Sequence, residues 1–245
     1  MPGSLTFRFQ AELNDLLPRD RRETEFVHHF HDRTSIKDVV ESLGVPHTEV
    51  DLILANGEPV GFDHTVRDGE AIDVYPVHAA PELYPDERLQ RLPPALCFVL
   101  DSHLGRLAAY LRMLGFDTLY RNDYSDSELA QISASQGRVL LSCDKRLLMR
   151  RKVTYGYFVR ARLPHEQLLE IARRYDLSER QQPFSRCIHC NGRIESVAKG
   201  EIVDRLMPRT REHYEEFRRC RDCGKIYWKG SHYRRMQELI SRLNH

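Results

Sequence analysis

Two C-x-x-C pairs near the carboxyl end constrain this chain more than any other feature. Cys187-Ile188-His189-Cys190 and Cys220-Arg221-Asp222-Cys223 are separated by 29 residues. Four thiolates in two such pairs suit tetrahedral Zn²⁺, and a site closed by four thiolates is structural rather than catalytic. The spacing therefore predicts a four-cysteine zinc ribbon over residues 183–245. Gly192 and Gly224 follow the second cysteine of each pair, where a knuckle turn needs positive φ. Disulfides are the alternative pairing, which a reducing compartment disfavours. The other two cysteines, Cys97 and Cys143, fall in apolar runs and are expected to be buried thiols.

A second pattern governs the middle of the chain. Leu96–Leu100 and Val139–Cys143 are short apolar runs, each followed at once by an aspartate, Asp101 and Asp144. Runs of this length read as buried strands of a parallel sheet. Between them lie an apolar helical stripe at Leu104, Leu107, Ala108, Leu111 and Leu114, a strand at 116–120 and a helix at 127–136. A basic, helical stretch at 145–151, a strand at 157–159 and a helix at 164–175 follow. Alternating strands and helices predict an α/β domain over residues 95–182. In open α/β sheets ligands bind beyond the carboxyl ends of the strands, so Asp101 and Asp144 point to a site. Asp126 lies between them, where a helix starts. Taken singly, each aspartate reads equally well as a helix cap or turn residue. Taken together, they suit a hard divalent cation, because clustered carboxylates repel one another without one.

The amino-terminal part, residues 1–80, reads as ββαββ. Leu5–Phe9 and Glu25–Phe30 alternate like strands, residues 34–44 have a Ser/Thr start and a Gly stop, and 50–54 and 71–75 are strands. Asn56-Gly57 is a hairpin signal and Asp68-Gly69 a second turn. His28, His29 and His31 invite a metal reading, but neighbours on a strand alternate faces. Pro81, Pro85, Pro93 and Pro94 mark a semi-rigid linker over residues 81–94.

Charge is distributed unevenly. Residues 1–80 carry 7 Lys/Arg against 15 Asp/Glu, and residues 81–245 carry 30 against 21. A basic body suits a polyanionic partner. The strip Lys225-Ile226-Tyr227-Trp228-Lys229-Gly230-Ser231-His232-Tyr233-Arg234-Arg235 interleaves basic and aromatic residues, as a grip on a single-stranded nucleic-acid backbone with stacked bases would. Packing of Tyr227 and Trp228 into the ribbon core is the alternative. No run approaches the roughly 18 apolar residues of a membrane span, and the first residues lack a signal-peptide pattern. A cytoplasmic location is expected.

The segments "LDSHLGRLAAYLRMLGFDTLY", "NDYSDSELAQIS" and "GRVLLSCDKRLL" resemble the mut-seven C-terminal ribonuclease family, a branch of the PIN-like nucleases, and "CGKIYWKGSHYRRM" resembles that family's zinc ribbon. "VDLILANGEPV" and "RDGEAIDVYPV" resemble the ubiquitin-like β-grasp domain fused to it. With the chain running on past Val77 and no Gly-Gly there, the head reads as a docking or regulatory module for a protein partner rather than a carrier. The resemblance implies a ribonuclease that uses Mg²⁺ or Mn²⁺, with Asp101, Asp126 and Asp144 as catalytic ligands. RNA, including tRNA or the ribosome, is the implied partner. Arg106, Arg112, Lys145 and Arg146 are candidate phosphate contacts, as are Lys225, Lys229, Arg234 and Arg235, with Trp228 as a stacking surface. One departure stands out: PIN nucleases typically add a Glu on an early helix, and residues 104–114 hold no acid. Asp123 or Glu128 could supply a fourth carboxylate. A one-metal site, weak activity, and an inactive RNA- or ribosome-associated binding protein stay open.

Overall fold

The computed structural model describes residues 3–79, 82, 84–90, 93 and 95–243, without the side chain of Arg242. The chain divides into two compact units, drawn from Met1–Ala95 with Ser125–Phe158 and from Leu96–Tyr124 with Val159–His245. Pro81 and Pro94 of the expected linker lie outside the described residues.

The first unit begins with the head: β1 (Gly3–Phe9), β2 (Phe26–Phe30), α1 (Ile36–Ser42), β3 (Leu52–Ala55), β4 (Glu58–Pro59) and β5 (Ala71–Tyr75). Its sheet runs β2-β1-β5-β3-β4, with β1 and β5 parallel and the other pairs antiparallel. Alternation dictates the core: Leu5, Phe7 and Phe9 face inward from β1, and Phe7 and Phe9 stack with centroids 5.6 Å apart. Ser35 caps α1 by accepting the Asp38 N–H. Asn56 and Gly57 both take positive φ, 51° and 85°, which makes the two-residue hairpin between β3 and β4.

The middle of the chain supplies β6 (Phe98–Leu100), α2 (Gly105–Met113), β7 (Thr118–Tyr120), α3 (Asp126–Gln136), β8 (Val139–Ser142), α4 (Lys145–Leu148), β9 (Gly156–Phe158) and α5 (Pro164–Tyr175). In the first unit β8 and β9 pair in parallel, Leu140 opposite Gly156. In the second, β6 and β7 pair in parallel, Phe98 opposite Thr118. These parallel pairs give the mixed α/β architecture that the apolar runs predict. A capping box of Ser125 and Glu128 starts α3, and Gly137 ends it at φ 61°. Pro164 at the first turn starts α5. Phe98 is buried edge-on against Phe116 and Tyr175, each 5.9 Å away.

The head grips the rest of its unit. Phe158 packs against the head core, and its N–H donates to Glu49 Oε1 at 2.7 Å. His47 Nε2 donates to the Val153 carbonyl at 2.8 Å, while Nδ1 faces Glu41 at 2.6 Å. Lys145 Nζ donates to the Leu16 carbonyl at 2.6 Å.

The second unit ends in β10 (Ile194–Val197), α6 (Lys199–Ile202), α7 (Pro208–His213), β11 (Phe217–Cys220), β12 (Ile226–Trp228) and α8 (Ser231–Leu243). The three strands form an antiparallel sheet, β10-β11-β12. Val197, Ile202, Leu206 and Phe217 make its core, with Tyr214 and Ile226 packed on them. No helix among the described residues is long and apolar enough to cross a membrane.

Three expectations need correction. Cys97 is half-buried and Cys143 exposed, not buried. Both fall outside the strands, which cover only Phe98–Leu100 and Val139–Ser142, so strand alternation does not hold them inside. The helix expected over 145–151 stops at Leu148.

Candidate metal centre and acidic corners

The four cysteines form one cluster. Their Sγ atoms all lie within 4.8 Å of one another, with Cys187 to Cys223 at 3.7 Å and Cys190 to Cys220 at 3.4 Å. A Zn–S bond of about 2.3 Å places tetrahedral sulfurs roughly 3.8 Å apart, so the set fits one ion. Both knuckles close in the same way. Asn191 N–H donates to the Cys187 carbonyl and Gly224 N–H to that of Cys220, at 2.9 and 3.1 Å. The left-handed residues are Asn191 at φ 73° and Gly224 at φ 69°. The first of these corrects the sequence expectation, which put the turn on Gly192. Gly192 is instead a point of close approach: a Cβ there would lie 2.9 Å from Cys220 Sγ.

Electrostatics favour metal at this corner. Burial opposes the Cys187 thiolate, but the Tyr227 hydroxyl at 2.9 Å and the N–H groups of Cys190 and His189 outweigh it and bring the thiol down to about 7. Lost hydration and the neighbouring thiols of Cys220, Cys223 and Cys187 push Cys190 up to about 12. Burial and the Cys187 sulfur raise the Tyr227 phenol, which keeps its proton and donates. A divalent cation relieves the mutual repulsion of the four thiolates.

The first knuckle is built into the α/β part of its unit. Arg112 is buried; its Nε donates to the Thr118 carbonyl at 2.9 Å and its Nη1 to those of Ile188 and His189 at 3.3 and 2.9 Å. Burial pulls its guanidinium down from the usual arginine value, and the nearby Cys187, Cys190 and Asp117 resist that shift. Asn191 Oδ1 accepts the Thr118 N–H at 3.0 Å, and Nδ2 donates to Asp117 at 2.9 Å. Arg186 donates to the other Asp117 oxygen at 3.0 Å. Arg112 was expected to contact phosphate. The structure places it inside the fold, tying α2 to the knuckle. A signal for this lay in the sequence, since Arg112 follows Ala108 by one helical turn on the apolar stripe.

Each aspartate sits at the start of an element. Asp101 directly follows β6 and its Oδ1 accepts the Ser102 N–H at 2.6 Å. Asp144 lies two residues past β8 and accepts the Arg146 N–H at 2.8 Å. Asp126 is the first residue of α3, with Ser125 as its cap, and it pairs with Arg150 at 3.3 Å. The two spare acids are engaged. Glu128 accepts the Ser125 N–H and hydroxyl, at 2.8 and 2.7 Å. Asp123 pairs with Arg121, whose hydrogen bonds hold its carboxyl below the usual range. Residues Gly105–Met113 of α2 hold no acid. His103 is exposed, as are Arg106 and Arg146. Lys145 lies over the Phe158 ring, 5.9 Å from its centroid, and donates to Leu16. On the ribbon, Lys225, Trp228, Lys229, Arg234 and Arg235 are exposed, and Lys229 pairs with Glu216 at 2.6 Å. Among the described residues, the four cysteines form the group suited to a metal ion, and His28, His29 and His31 belong to no such group.

A family profile described as Mut7-C RNAse domain matches residues 96–240. A second, described as Mut7-C ubiquitin, matches residues 3–82. No curated protein matches the chain. Among solved structures, the solution structure of the Haloferax volcanii HVO 2177 protein is 22% identical, over 33% of this chain and 88% of that chain, with a TM-score of 0.27.

Proposed function

The chain belongs to the Mut7-C RNAse domain family, and on that footing we propose that it is a divalent-metal-dependent ribonuclease that hydrolyses RNA phosphodiester bonds. The observation that carries this reading is a carboxylate just beyond one strand of each parallel pair, Asp101 after β6 and Asp144 after β8. That is where α/β sheets bind ligands. We read the catalytic part as PIN-like and the protein as cytoplasmic, with RNA, including tRNA or the ribosome, as partner.

In this reading Asp101, Asp126 and Asp144 would hold Mg²⁺ or Mn²⁺, since carboxylates are the hard oxygen donors that either ion takes. An ion held there would supply Lewis acidity, lowering the pKa of a water and offsetting charge on the attacked phosphate. The Ser102 and Arg146 N–H groups fix the orientation of two of the carboxylates. Arg150 holds the third, and this exposed pair opens at little cost. Arg106 and Arg146 orient the phosphate, and the basic ribbon strip holds the rest of the RNA. Zinc in the ribbon is structural.

One observation supports a second reading, a weak or inactive RNA-binding protein. Helix α2 lacks the early acid, and Glu128 and Asp123 are both engaged elsewhere. Incubating the zinc-loaded protein with diverse RNAs, with and without Mg²⁺ or Mn²⁺, separates the two. Metal-dependent cleavage that disappears in Asp101→Asn supports the nuclease. Retained binding without cleavage moves the assignment to the binder.

A further inference from the structure

The ribbon carries a groove of about 860 Å³ that runs from the sheet to the start of α8. Its floor is aromatic. Trp228 is 40% exposed, and Tyr214 lies beside it with ring centroids 6.4 Å apart. Gly230 backs the indole, where a Cβ would fall 2.9 Å from Nε1, so the close turn holds the ring in place. Tyr214 packs on the ribbon core and gives the floor a rigid base. An exposed indole on such a base offers a flat apolar face that nothing in the ribbon core uses.

The rim is cationic. Lys199, Arg218, Lys225 and Lys229 line it, against Glu215 and Glu216. The two glutamates sit on two of the lysines, Glu215 on Lys199 at 2.5 Å and Glu216 on Lys229 at 2.6 Å. Four cations thus face two glutamates, and the Lys229 hydrogen bond, helped by the Arg218 charge, holds the Glu216 carboxyl below its usual range. The glutamates hold positions that phosphate oxygens would take, and the surplus cations make an anionic chain the complementary occupant. An aromatic floor under a cationic rim is the arrangement that binds unpaired nucleic acid, whose bases expose π-faces that a duplex keeps stacked inside.

We propose that this groove binds unpaired RNA. One base stacks on Trp228 beside Tyr214, and the flanking phosphates replace Glu216 on Lys229 and Glu215 on Lys199 while also meeting Arg218 and Lys225. The inference rests on the ribonuclease reading for the identity of its ligand, and it adds that the ribbon selects single strands.

Trp228 is the chain's single tryptophan, so its fluorescence reports on the groove alone. The experiment titrates zinc-loaded full-length protein with a 2′-O-methyl RNA oligonucleotide, which resists cleavage, with Mg²⁺ and Mn²⁺ omitted. Fluorescence anisotropy of an end-labelled copy gives the affinity in parallel. Saturable quenching by the single strand is expected, with little by a duplex of the same length. Trp228→Ala should weaken binding roughly 5- to 150-fold, the range for loss of one stacked base, and Trp228→Phe should recover part of it. Glu216→Gln keeps the fold and tests the rim. It should tighten binding several-fold, and more than Glu238→Gln, which makes the same charge change outside the groove. Binding without quenching, equal quenching by duplex, or unchanged affinity in Trp228→Ala would overturn the proposal, as would no binding at all. Cleavage of RNA without quenching would sink the groove and leave the nuclease standing; quenching without cleavage under Mg²⁺ or Mn²⁺ would do the reverse.

Discussion

The thiolate corner and the aspartate corners are held in opposite ways. The cysteines are drawn together by their own turns, by Asn191 of the first turn, which binds Thr118, and by Arg112 and Tyr227 from elsewhere in the unit. The aspartates are held one by one: Asp101 by the Ser102 N–H, Asp144 by the Arg146 N–H and Asp126 by the exposed side chain of Arg150. A soft structural site is thus supported by the surrounding fold, and its loss should propagate. Two of the carboxylates meet neighbouring N–H groups and the third an exposed arginine, so their charge can be removed with little harm to the fold. This separates the part of the protein that holds the structure from the part we propose reacts.

Removal of a thiolate is the largest test of that contrast. Cys187→Ser should abolish zinc binding and unfold the ribbon, a cost of at least several kcal/mol, read by zinc content and by near-UV circular dichroism. A ribbon that stayed folded with no zinc would erase the distinction between the two corners. Arg112→Met comes next. It strips the donor from three carbonyls and should cost roughly 3 kcal/mol, seen as a lower midpoint in chemical denaturation. A loss below about 1 kcal/mol would mean that water replaces the guanidinium.

The aspartates sharpen the comparison from the other side. Asp144→Asn keeps an acceptor for the Arg146 N–H, so stability should hold, while Asp144→Ala should lose about 1 kcal/mol. Cleavage should fall about 100-fold or more in both, which a gel assay beside a thermal melt would resolve. Equal loss of stability in the two variants would assign Asp144 a different structural role. The smallest effect is expected at Asp126→Asn. The Arg150 pair is half exposed on both sides, so its removal should cost under about 1 kcal/mol while cleavage still drops. Retained cleavage there would remove Asp126 from the ligand set.

Local signals in the sequence carried well into the structure, and long-range ones did not. The two C-x-x-C pairs lead to one cluster because spacing alone nearly closes such a site. Alternation at Leu5, Phe7 and Phe9 and the Asn56-Gly57 turn dictate their part of the head. Asn191 escaped notice because glycine is the usual left-handed residue, yet its side chain is needed to bind Thr118 and Asp117. Lys145 read as a phosphate contact because it follows Asp144. Only the fold reveals that the Leu16 carbonyl, far away in the chain, accepts its hydrogen bond. Arg112 differs, because its place one turn after Ala108 on the apolar stripe already marks it for burial, against its charge.

We propose that Asp101, Asp126 and Asp144 bind a hard cation independently of the thiolates. Binding of Mn²⁺ to the zinc-loaded protein, followed by electron paramagnetic resonance, tests it most directly. One Mn²⁺ site is expected whose affinity falls by at least about 10-fold in Asp101→Asn and again in Asp144→Asn, with the zinc content unchanged. Mn²⁺ binding that is absent from the native protein, or that persists undiminished in both variants, would contradict the account.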